Sequence, residues 1–493
     1  MADIPLKILM MSAEMVPFAK TGGLADVVGT LPKALRAAGC EVRVIIPRYG
    51  RIDLERFDLK PVLEPYQILI DNIDAQVNLL STTISATDCE VPVYLVDNQH
   101  YFERDGLYMY EDDADRFIFF CRASLEGMRL LDWKPDVIHC HDWHTAIIPN
   151  WLKTLYRRDP FYMNTASVYT IHNLAYQGIF GYRVLEIAGV DEYGFLAHPD
   201  LPHLSGAIDF MGRGIHYADI ITTVSESYAR EILHPERGEG LDPLLQQRQN
   251  DLFGVLNGID TSANDPAIDT YIAAHYDLHD TSGKQQCKAD LQREMQLPQR
   301  SEQAVLGLIS RLTDSKGFDL INSLIETLLE NHPIQLVILG TGELRYHERL
   351  ATLRARFPQQ IAFTPTFNKR LAHKIYAGSD MFLMPSRYEP CGLGQLLAMR
   401  YGSIPIVRAT GGLADTVCDY NPLTGQGNGF VFHTYNAYEL YGTIMRALEY
   451  YRDPLEWAKL MKQAMAEDFG WERPAQRYME LYQLAIQRKQ ERG

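Results

Sequence analysis

The amino-acid sequence predicts an α/β protein of two domains, each built on a parallel β-sheet covered by helices on both faces. Three observations support this fold class. The chain has 493 residues, which is too long for one core, because single hydrophobic cores stop growing near roughly 250–300 residues. Short apolar runs alternate with longer helical stretches throughout. A six-residue segment, TGGLAD, occurs at Thr21–Asp26 and again at Thr410–Asp415.

The predicted strands are continuous apolar runs, as expected for strands that are buried on both faces of a parallel sheet. In the first half they are Ile8–Ser12, Val42–Pro47, Val93–Val96, Asp136–His139, Ser167–Ile171 and Asp219–Val224. In the second half they are Val305–Ile309, Leu336–Gly340, Met381–Met384 and Ile404–Val407. Both halves are therefore predicted to be Rossmann-like.

The domain boundary is predicted where a polar segment with little periodicity follows Asn257–Asp260. This gives a first domain over residues 1–260 and a second domain over residues 261–470. The remaining residues, 471–493, form a last helix whose apolar stripe needs a partner surface, for which a neighbouring domain is expected. The stripe consists of Tyr478, Leu481, Tyr482, Ala485 and Ile486.

Composition and charge exclude several classes of function. A formal net charge of −16 argues against a nucleic-acid partner, since such proteins need a basic face. No apolar run approaches the roughly 20 residues that span a bilayer, which argues against a membrane partner. Seven scattered cysteines without CxxC spacing predict free thiols in a reducing compartment. The N-terminal residues lack the features of a secretory signal. The expected location is the cytoplasm, or the plastid stroma if a transit peptide has been removed.

The first candidate site is the glycine turn after the first strand. Two glycines, Gly22 and Gly23, allow a ligand to approach the backbone, and the following helix offers N–H donors to an anion. Lys20 adds a mobile positive charge. A tight strand–helix turn with a solvated lysine is the alternative interpretation. The position after the first strand strengthens the case for a ligand site, and both interpretations remain open at this point.

Polar residues also end three other strands of the first half. His139–His144 reads HCHDWH, which suggests a metal site, yet alternate residues of a strand face opposite ways and no second ligand cluster at zinc spacing lies nearby. The favoured interpretation is a sugar-facing Asp142 beside histidines that pack or form hydrogen bonds. His172 in TIHN and Asn257 in NGID lie where such folds bind ligands, although a purely structural role is the alternative for each.

Two segments of the second half carry charge at strand ends. Arg311 and Lys316 are suited to gripping the phosphates of a diphosphate, with a solvated basic loop as the alternative. Glu389 lies between a strand and a helix, where a carboxylate accepts hydrogen bonds from sugar hydroxyls and the glycine-rich helix start receives phosphate. An N-capping turn is the alternative. Cys391 alone more often indicates a small packing residue than a nucleophile.

Taken together, these segments identify a family. KTGGLADVVG, HDWH, TIHN, NGID, SRLTDSKG, SRYEPCGLGQ and TGGLADTV follow one another in the order seen in bacterial glycogen synthases and plant starch synthases. The resemblance covers Lys7 to about Glu480. It implies a GT-B glycosyltransferase, with two Rossmann-like domains facing a central cleft and a C-terminal helix that crosses back to the first domain. It also implies retaining transfer of glucose from ADP-glucose to the non-reducing end of an α-1,4-glucan. No cofactor and no metal are implied.

The resemblance assigns roles residue by residue. Arg311 and Lys316 resemble the cations that hold the donor phosphates and stabilise departing ADP, and Glu389 the carboxylate that binds the glucosyl 3- and 4-hydroxyls. His172 and Asn257 resemble the pair near the sugar's 6-hydroxyl, with the His172 carbonyl close to the anomeric carbon, and Asp142 another sugar-side residue. The remaining donor-site assignments are Lys20, Gly22, Gly23, Cys391, Gly392, Leu393, Gly394, Thr410 and Gly411.

The acceptor site is assigned to aromatic residues of one loop. Tyr101, Phe102 and Tyr108 resemble an acceptor-proximal loop whose rings stack on a glucan or maltooligosaccharide, and core packing is the alternative for them. The sequence departs from the family at Gly394, where EPCGLTQ becomes EPCGLGQ and a hydroxyl is lost. Leu397 stands where related GT-B enzymes have the second acid of an E-x7-E pattern.

Two other functions remain open on the sequence alone. One is a different GT-B activity, such as a nucleotide-sugar epimerase or a sucrose- or trehalose-type synthase, which is not expected to carry both KTGGLAD and EPCGLGQ. The other is a non-catalytic glucan-binding or scaffolding protein, which the intact set of charged residues disfavours. The choice between ADP-glucose and UDP-glucose is not determined by these motifs.

Overall fold

The computed structural model of the chain describes residues 5–86, 89–190 and 207–492. Contacts divide the chain into two compact units. Unit 1 comprises the residues up to Gly258 together with those from Trp471 onward, and unit 2 comprises Ile259–Gly470. Each unit has its own hydrophobic core.

Unit 1 is built on an open sheet of ten strands in the order β12-β11-β8-β7-β1-β2-β6-β5-β3, with β4 paired to β5 outside this path. The first six are β1 (Lys7–Met11), β2 (Glu41–Pro47), β3 (Lys60–Pro61), β4 (Tyr66–Ile70), β5 (Ile73–Ala86) and β6 (Cys89–Asp97). The remainder are β7 (Val137–His141), β8 (Ala166–Ile171), β11 (Ile220–Thr223) and β12 (Leu252–Gly254). A separate antiparallel pair consists of β9 (Ile179–Phe180) and β10 (Ile208–Asp209).

Seven strands of the large sheet, from β12 to β6 in that order, run parallel, whereas β3, β4 and β5 are antiparallel to their neighbours. Every residue of β7 and β8 is buried, as expected for strands covered on both faces. The helices of the unit, before its C-terminal one, are α1 (Gly23–Ala37), α2 (Gln99–Phe102), α3 (Asp113–Leu130), α4 (Ile147–Lys153), α5 (Arg183–Ala188), α6 (Phe210–Tyr217), α7 (Glu226–Glu231) and α8 (Asp242–Gln247).

Unit 2 is built on six parallel strands in the order β15-β14-β13-β16-β17-β18. They are β13 (Ala304–Ile309), β14 (Ile334–Leu339), β15 (Ile361–Thr364), β16 (Met381–Met384), β17 (Ile404–Arg408) and β18 (Phe430–Phe432). Its helices are α9 (Ser282–Glu294), α10 (Phe318–Asn331), α11 (Leu344–Arg356), α12 (Lys369–Gly378), α13 (Gly394–Arg400), α14 (Gly411–Thr416), α15 (Ala437–Tyr451) and α16 (Pro454–Ala466).

The C-terminal helix, α17 (Glu472–Arg492), completes unit 1. Tyr478, Leu481, Tyr482 and Ala485 are almost completely buried in the core of that unit, and Ile486 packs against it. The Tyr482 hydroxyl also lies 2.9 Å from Nδ1 of His139 on β7. The apolar stripe predicted for the last helix therefore packs into the core of unit 1.

The predicted fold class is confirmed, since all ten strands expected from the sequence are strands in the structure. The antiparallel strands β3–β5 were not predicted, because one face of β4 is exposed and its apolar signal is interrupted. The short strand β18 has only three residues and is too brief to give a pattern. No helix among the described residues is both long and apolar enough to cross a bilayer.

Candidate functional site: two groups of strand-end residues

The glycine turn of unit 1 is organised by a buried carboxylate that the sequence analysis missed. Glu14 accepts hydrogen bonds from the backbone N–H of Thr21 at 2.5 Å and of Gly22 at 3.2 Å, and from the Thr21 hydroxyl at 2.5 Å. Gly22 has extended backbone angles and precedes α1, which begins at Gly23. The turn is exposed, so the N-terminus of this 15-residue helix is accessible to an anion.

Lys20 and Tyr108 complete this turn. The Lys20 ammonium lies 2.7 Å from both carboxylate oxygens of Asp26, and both side chains are partly exposed. The Tyr108 hydroxyl donates to Oε1 of Glu14 at 2.8 Å. Burial raises the pKa of Tyr108, so its hydroxyl remains a donor. Tyr108, assigned to the acceptor loop from the sequence, therefore contacts the carboxylate that holds the glycine turn.

The other two aromatic residues of that loop are core residues. Phe102 has no exposed surface, and Tyr101 is 8% exposed. The Tyr101 ring stacks on Phe119 with centroids 4.3 Å apart, and its carbonyl accepts from Nε of Arg116. The structure thus places Phe102 in the packing role that the sequence left open, and its ring presents no face for stacking on a sugar.

Asp142 follows β7 in a backbone conformation that is uncommon for a residue with a side chain, with φ of 56°. Its carboxylate accepts from the backbone N–H of His172 at 2.8 Å, and its own N–H donates to the Thr170 carbonyl at 2.9 Å. Burial raises the pKa of Asp142 to about 7, against the opposing effect of the His172 hydrogen bond. Asp142 and His172, predicted separately from two motifs, therefore lie side by side at the ends of β7 and β8.

The three histidines of HCHDWH lie in three different environments rather than around one point. His139 lies between the Tyr482 hydroxyl and Oγ1 of Thr170, at 2.9 and 2.6 Å. His141 lies 2.9 Å from His172, nitrogen to nitrogen. His144 stacks on Trp143 with centroids 4.1 Å apart. Among residues 5–86, 89–190 and 207–492, no group of three His, Cys, Asp or Glu is placed to hold a metal ion.

Asn257 lies three residues beyond β12, in the NGID segment. It is 5% exposed, and its buried Oδ1 has no hydrogen-bond partner among the described residues. A buried amide oxygen without a partner costs free energy of about 1–3 kcal/mol. Such an atom is expected where a ligand supplies the missing donor.

In unit 2, the carboxylate of Glu389 is fixed by two side chains. Lys316 donates to Oε2 of Glu389 at 2.6 Å, and the Ser386 hydroxyl donates to the same oxygen at 3.0 Å. Glu389 is 7% exposed, whereas Lys316 is partly exposed. The predicted cation and the predicted sugar-binding acid are thus in direct contact, although they are 73 residues apart in the chain. Arg311 is exposed on the loop directly after β13.

Backbone contacts join the Lys316 loop to the Glu389 loop. Gly317 has φ of +79°, and a Cβ at this position would lie 2.2 Å from the Pro385 carbonyl oxygen, so the position requires glycine. The Arg387 N–H donates to the Ser315 carbonyl at 2.9 Å. These backbone contacts fix the position of the Lys316 loop relative to the Glu389 loop.

Arg408, at the end of β17, is a second residue that the sequence analysis missed. Its guanidinium donates to the carbonyls of Ser386 and Arg387, the former at 2.9 Å, and it lies over the ring of Tyr435. Arg408 therefore supports the loop that carries Glu389. A signal was present: Arg408 directly follows the apolar run Ile404–Val407, and Glu14 comes three residues after the apolar run that ends β1 at Met11. Charged residues in such positions need partners.

The segment after Glu389 is held by Gln395. Its amide nitrogen donates to the carbonyls of Cys391 and Gly392, at 3.1 and 3.0 Å. Gly392 has φ of +73°, and α13 begins at Gly394 after Leu393. A Cβ added at Gly394 would approach the sulfur of Met384 to 3.1 Å.

The second glycine turn lies directly behind this segment. Thr410 is 2% exposed, and the Gly412 N–H donates to the carbonyls of Glu389 and Pro390, at 3.1 and 3.2 Å. A Cβ at Gly411 would lie 2.1 Å from the Glu389 carbonyl oxygen, and one at Gly412 would lie 2.1 Å from the Cys391 carbonyl oxygen. The turn therefore packs against the backbone of residues 389–391 and supports it.

Both units match known protein families. Residues 7–247 match the family described as "Starch synthase catalytic domain". Residues 292–464 match "Glycosyl transferases group 1". The two matches together include all the strand-end residues described above except Asn257.

Comparison with individual proteins gives matches over the full length. A glycogen synthase of Desulforudis audaxviator is 48% identical over 100% of this chain and 99% of its own length. One of Thermotoga maritima is 43% identical over 98% of this chain and 99% of its own. Among solved structures, the catalytic domain of starch synthase IV from Arabidopsis thaliana, bound to ADP and acarbose, superposes with a TM-score of 0.91. It is 33% identical and covers 98% of this chain and 100% of its own. A sucrose-phosphate synthase from Thermosynechococcus elongatus is 17% identical, with a TM-score of 0.59, and shares the fold.

Proposed function

Because the chain belongs to the family of glycogen and starch synthases, we propose that it transfers glucose from ADP-glucose to the non-reducing end of an α-1,4-glucan, with retention at the anomeric carbon. It is a glycosyltransferase with two parallel-sheet units. The observation that carries the proposal is the contact between Lys316 and Glu389, which puts a cation and an acid together at the strand ends of unit 2. A location in the cytoplasm is part of the proposal.

Lys316 and Arg311 are proposed to act on the leaving group. Breaking the bond between glucose and ADP builds negative charge on the distal phosphate. Fixed cations stabilise that charge more in the transition state than in the ground state, because the charge is then larger. The Ser386 hydroxyl and the Gly317–Pro385 contact hold Glu389 and Lys316 before substrate arrives, so little reorganisation is needed.

Glu389 is proposed to accept hydrogen bonds from the glucosyl 3- and 4-hydroxyls, not to act as a covalent nucleophile. Its Oε2 already accepts from two donors, and a carboxylate has further lone pairs to offer to sugar hydroxyls. Residues 391–394, with Thr410 and Gly411 beneath them, are proposed to line the phosphate site. Attack by the glucan hydroxyl on the face from which ADP departs then gives retention without an adduct on the enzyme.

In unit 1, Lys20 and the Gly22–Gly23 turn are proposed to contact the diphosphate. Since Glu14 occupies the N–H groups of Thr21 and Gly22, the free N–H donors of the turn begin at Gly23, the first residue of α1. His172, Asn257 and Asp142 are proposed to contact the donor sugar. The partnerless Oδ1 of Asn257 supports this, because a sugar hydroxyl would supply its donor.

The function is tested by initial rates of ADP release with ADP-glucose and with UDP-glucose, each with and without a maltooligosaccharide. We expect release that depends on the acceptor and is faster with ADP-glucose. Glucan binding without turnover of either donor would contradict the proposal and indicate a binding protein. Donor turnover without elongation of the glucan would indicate another GT-B activity.

Lys316→Ala is expected to lower kcat by about 10²–10³, or roughly 3–4 kcal/mol of transition-state stabilisation, with little change in KM for the glucan. Lys316→Arg is not expected to restore the rate, since the planar guanidinium of arginine cannot take the position of the compact lysine ammonium. The matched control is Lys459→Ala, which removes another lysine of unit 2 that pairs with a glutamate, Glu456, at the same distance of 2.6 Å. If Lys316→Ala keeps its kcat and only raises KM for the donor, Lys316 supplies uniform binding instead.

A further inference from the structure

His141 lies beneath His172 and takes no part in the function proposed above. Strands β7 and β8 are parallel neighbours, with His141 opposite Thr170, so the next residues of the two strands converge at one edge of the sheet. There Nδ1 of His141 lies 2.9 Å from Nε2 of His172. His141 has no exposed surface, whereas His172 keeps part of its surface exposed. His141 is therefore a buried residue whose side chain, among the described residues, makes its one hydrogen bond to a proposed sugar-binding residue.

Both rings are neutral. Burial lowers the pKa of His172 to about 3 and lowers that of His141 as well. A neutral imidazole has one nitrogen that donates and one that accepts. In a contact of 2.9 Å between two such rings, one nitrogen must donate and the other must accept. The tautomer of each ring therefore determines that of the other.

The surroundings of His141 decide which ring donates. Its second nitrogen, Nε2, is buried and has no hydrogen-bond partner among the described residues. If Nε2 carried the proton, a buried N–H would be left without an acceptor, which is rare in folded proteins. The favoured arrangement has the proton on Nδ1 of His141, donated to Nε2 of His172. Nδ1 of His172 then carries the second proton, and it is the one nitrogen of that ring that remains for a ligand.

We propose that His141 is a positioning residue that holds His172 in the tautomer protonated at Nδ1, so that His172 donates a hydrogen bond to a hydroxyl of the transferred glucose. Only the last step, the contact with the sugar, rests on the proposed function. The His139 ring supports the arrangement from the other side, with its centroid 4.2 Å from that of His141. The side-chain hydrogen bonds that link Tyr482, His139 and Thr170 do not include the His141 ring in the part of the chain that the structure describes.

The tautomer is tested on the ligand-free full-length protein labelled with ¹⁵N-histidine. We expect the His172 signals to show a protonated Nδ1 and a bare Nε2. In His141→Phe, which keeps a ring against His139 but has no donor, His172 is expected to shift toward protonation at Nε2. The matched control is Tyr482→Phe, which removes the hydroxyl that contacts Nδ1 of His139. This substitution should leave the His172 signals unchanged. A wild-type His172 protonated at Nε2 would overturn the proposal.

A second measurement separates positioning from mere structural support. A donor that lacks the 6-hydroxyl, ADP-6-deoxyglucose, is compared with ADP-glucose in wild type and in His141→Phe. We expect His141→Phe to lower kcat about tenfold with ADP-glucose, as for the loss of one neutral hydrogen bond. With the deoxy donor, the same substitution should cost less than about twofold, because the hydroxyl that His172 meets is already absent. Equal losses with both donors would overturn the role in sugar binding.

His141→Asn is a second variant for this buried position, because the asparagine amide retains an N–H donor near the position of Nδ1. It should keep the wild-type His172 tautomer and most of kcat. If His141→Asn instead loses as much kcat as His141→Phe while the His172 tautomer is unchanged, His141 serves folding only and the proposal is wrong. A wild-type enzyme that transfers no glucose would refute the proposed function while the ¹⁵N result still decided the tautomer.

Discussion

The segment TGGLAD occurs twice, and its two copies have opposite environments. In unit 1, Thr21 and the two glycines that follow are exposed, and the N–H groups of Thr21 and Gly22 donate to the carboxylate of Glu14. In unit 2, Thr410 and its two glycines are buried against the carbonyls of residues 389–391. Lys20 precedes the first copy, whereas Ala409 precedes the second. The same six residues thus form an accessible turn in one unit and an internal support in the other.

The difference lies in what the glycines are needed for. A Cβ at Gly22 would meet no atom within 4 Å, and its backbone is extended. A Cβ at Gly411 would lie 2.1 Å from a carbonyl oxygen, and its φ is +45°. The first copy therefore has open space in front of Gly22, and the second has glycine where the protein's own backbone approaches.

The largest effect is expected from alanine at equivalent positions of the two copies. Gly411→Ala should destabilise unit 2 by about 3–5 kcal/mol, the sum of a strained backbone and overpacking against the Glu389 carbonyl. Gly22→Ala should change the free energy of unfolding by less than about 1 kcal/mol. Urea denaturation of both variants measures the difference. Similar destabilisation by the two substitutions would show that the copies are equivalent after all.

A smaller effect is expected from the carboxylate that only the first copy has. Glu14→Gln should cost about 1–3 kcal/mol, because an amide cannot accept all the hydrogen bonds that Thr21, Gly22 and Tyr108 donate. Hydrogen exchange at the N–H of Thr21 and Gly22 should become faster.

Tyr108→Phe is the control for Glu14→Gln, since it removes one of these hydrogen bonds and leaves the carboxylate. It should cost about 1 kcal/mol and leave exchange at Thr21 nearly unchanged. If Tyr108→Phe accelerates exchange as much as Glu14→Gln does, the tyrosine rather than the carboxylate organises the turn.

The smallest effect on stability is expected from the ion pair of the first copy. Lys20→Met should lower the free energy of unfolding by at most about 1 kcal/mol, because both side chains of the Lys20–Asp26 pair are partly exposed. The same substitution should raise KM for ADP-glucose, since the lysine is proposed to contact the diphosphate. Asp26→Asn, which breaks the pair but keeps the lysine, is the control for stability. A large stability loss in Lys20→Met alone would assign the lysine to the fold.

The parallel strands and the residues at their ends were predictable from sequence, whereas the supporting residues were not. Apolar runs locate β1, β2, β7 and β8, and any polar residue that ends such a run lies at the carboxyl edge of a parallel sheet. Asp142 and His172 were found in this way. Their contact, however, depends on β7 and β8 being neighbours, which no local pattern specifies.

Glu14 and Arg408 show why the remainder was missed. Glu14 contacts Tyr108, which is 94 residues away, and Arg408 contacts the backbone of residues 386 and 387, whose position depends on the fold. The local sequence shows only a charge beside an apolar run, and it does not show what compensates that charge. The two TGGLAD copies make the same point, because identical residues acquire different roles from segments that are distant in sequence.

The return of the chain to unit 1 through α17 has a consequence for its biosynthesis. Unit 2 is one continuous segment, so it can fold as soon as it leaves the ribosome, whereas unit 1 lacks Tyr478, Leu481 and Tyr482 until all of unit 2 has been synthesised. At about 5–20 residues per second, the nascent first unit waits roughly 10–50 s for its last helix. During that time the surface that α17 will cover, including His139 on β7, remains open to solvent and to chaperones. The domain that is synthesised first is therefore the one that is completed last.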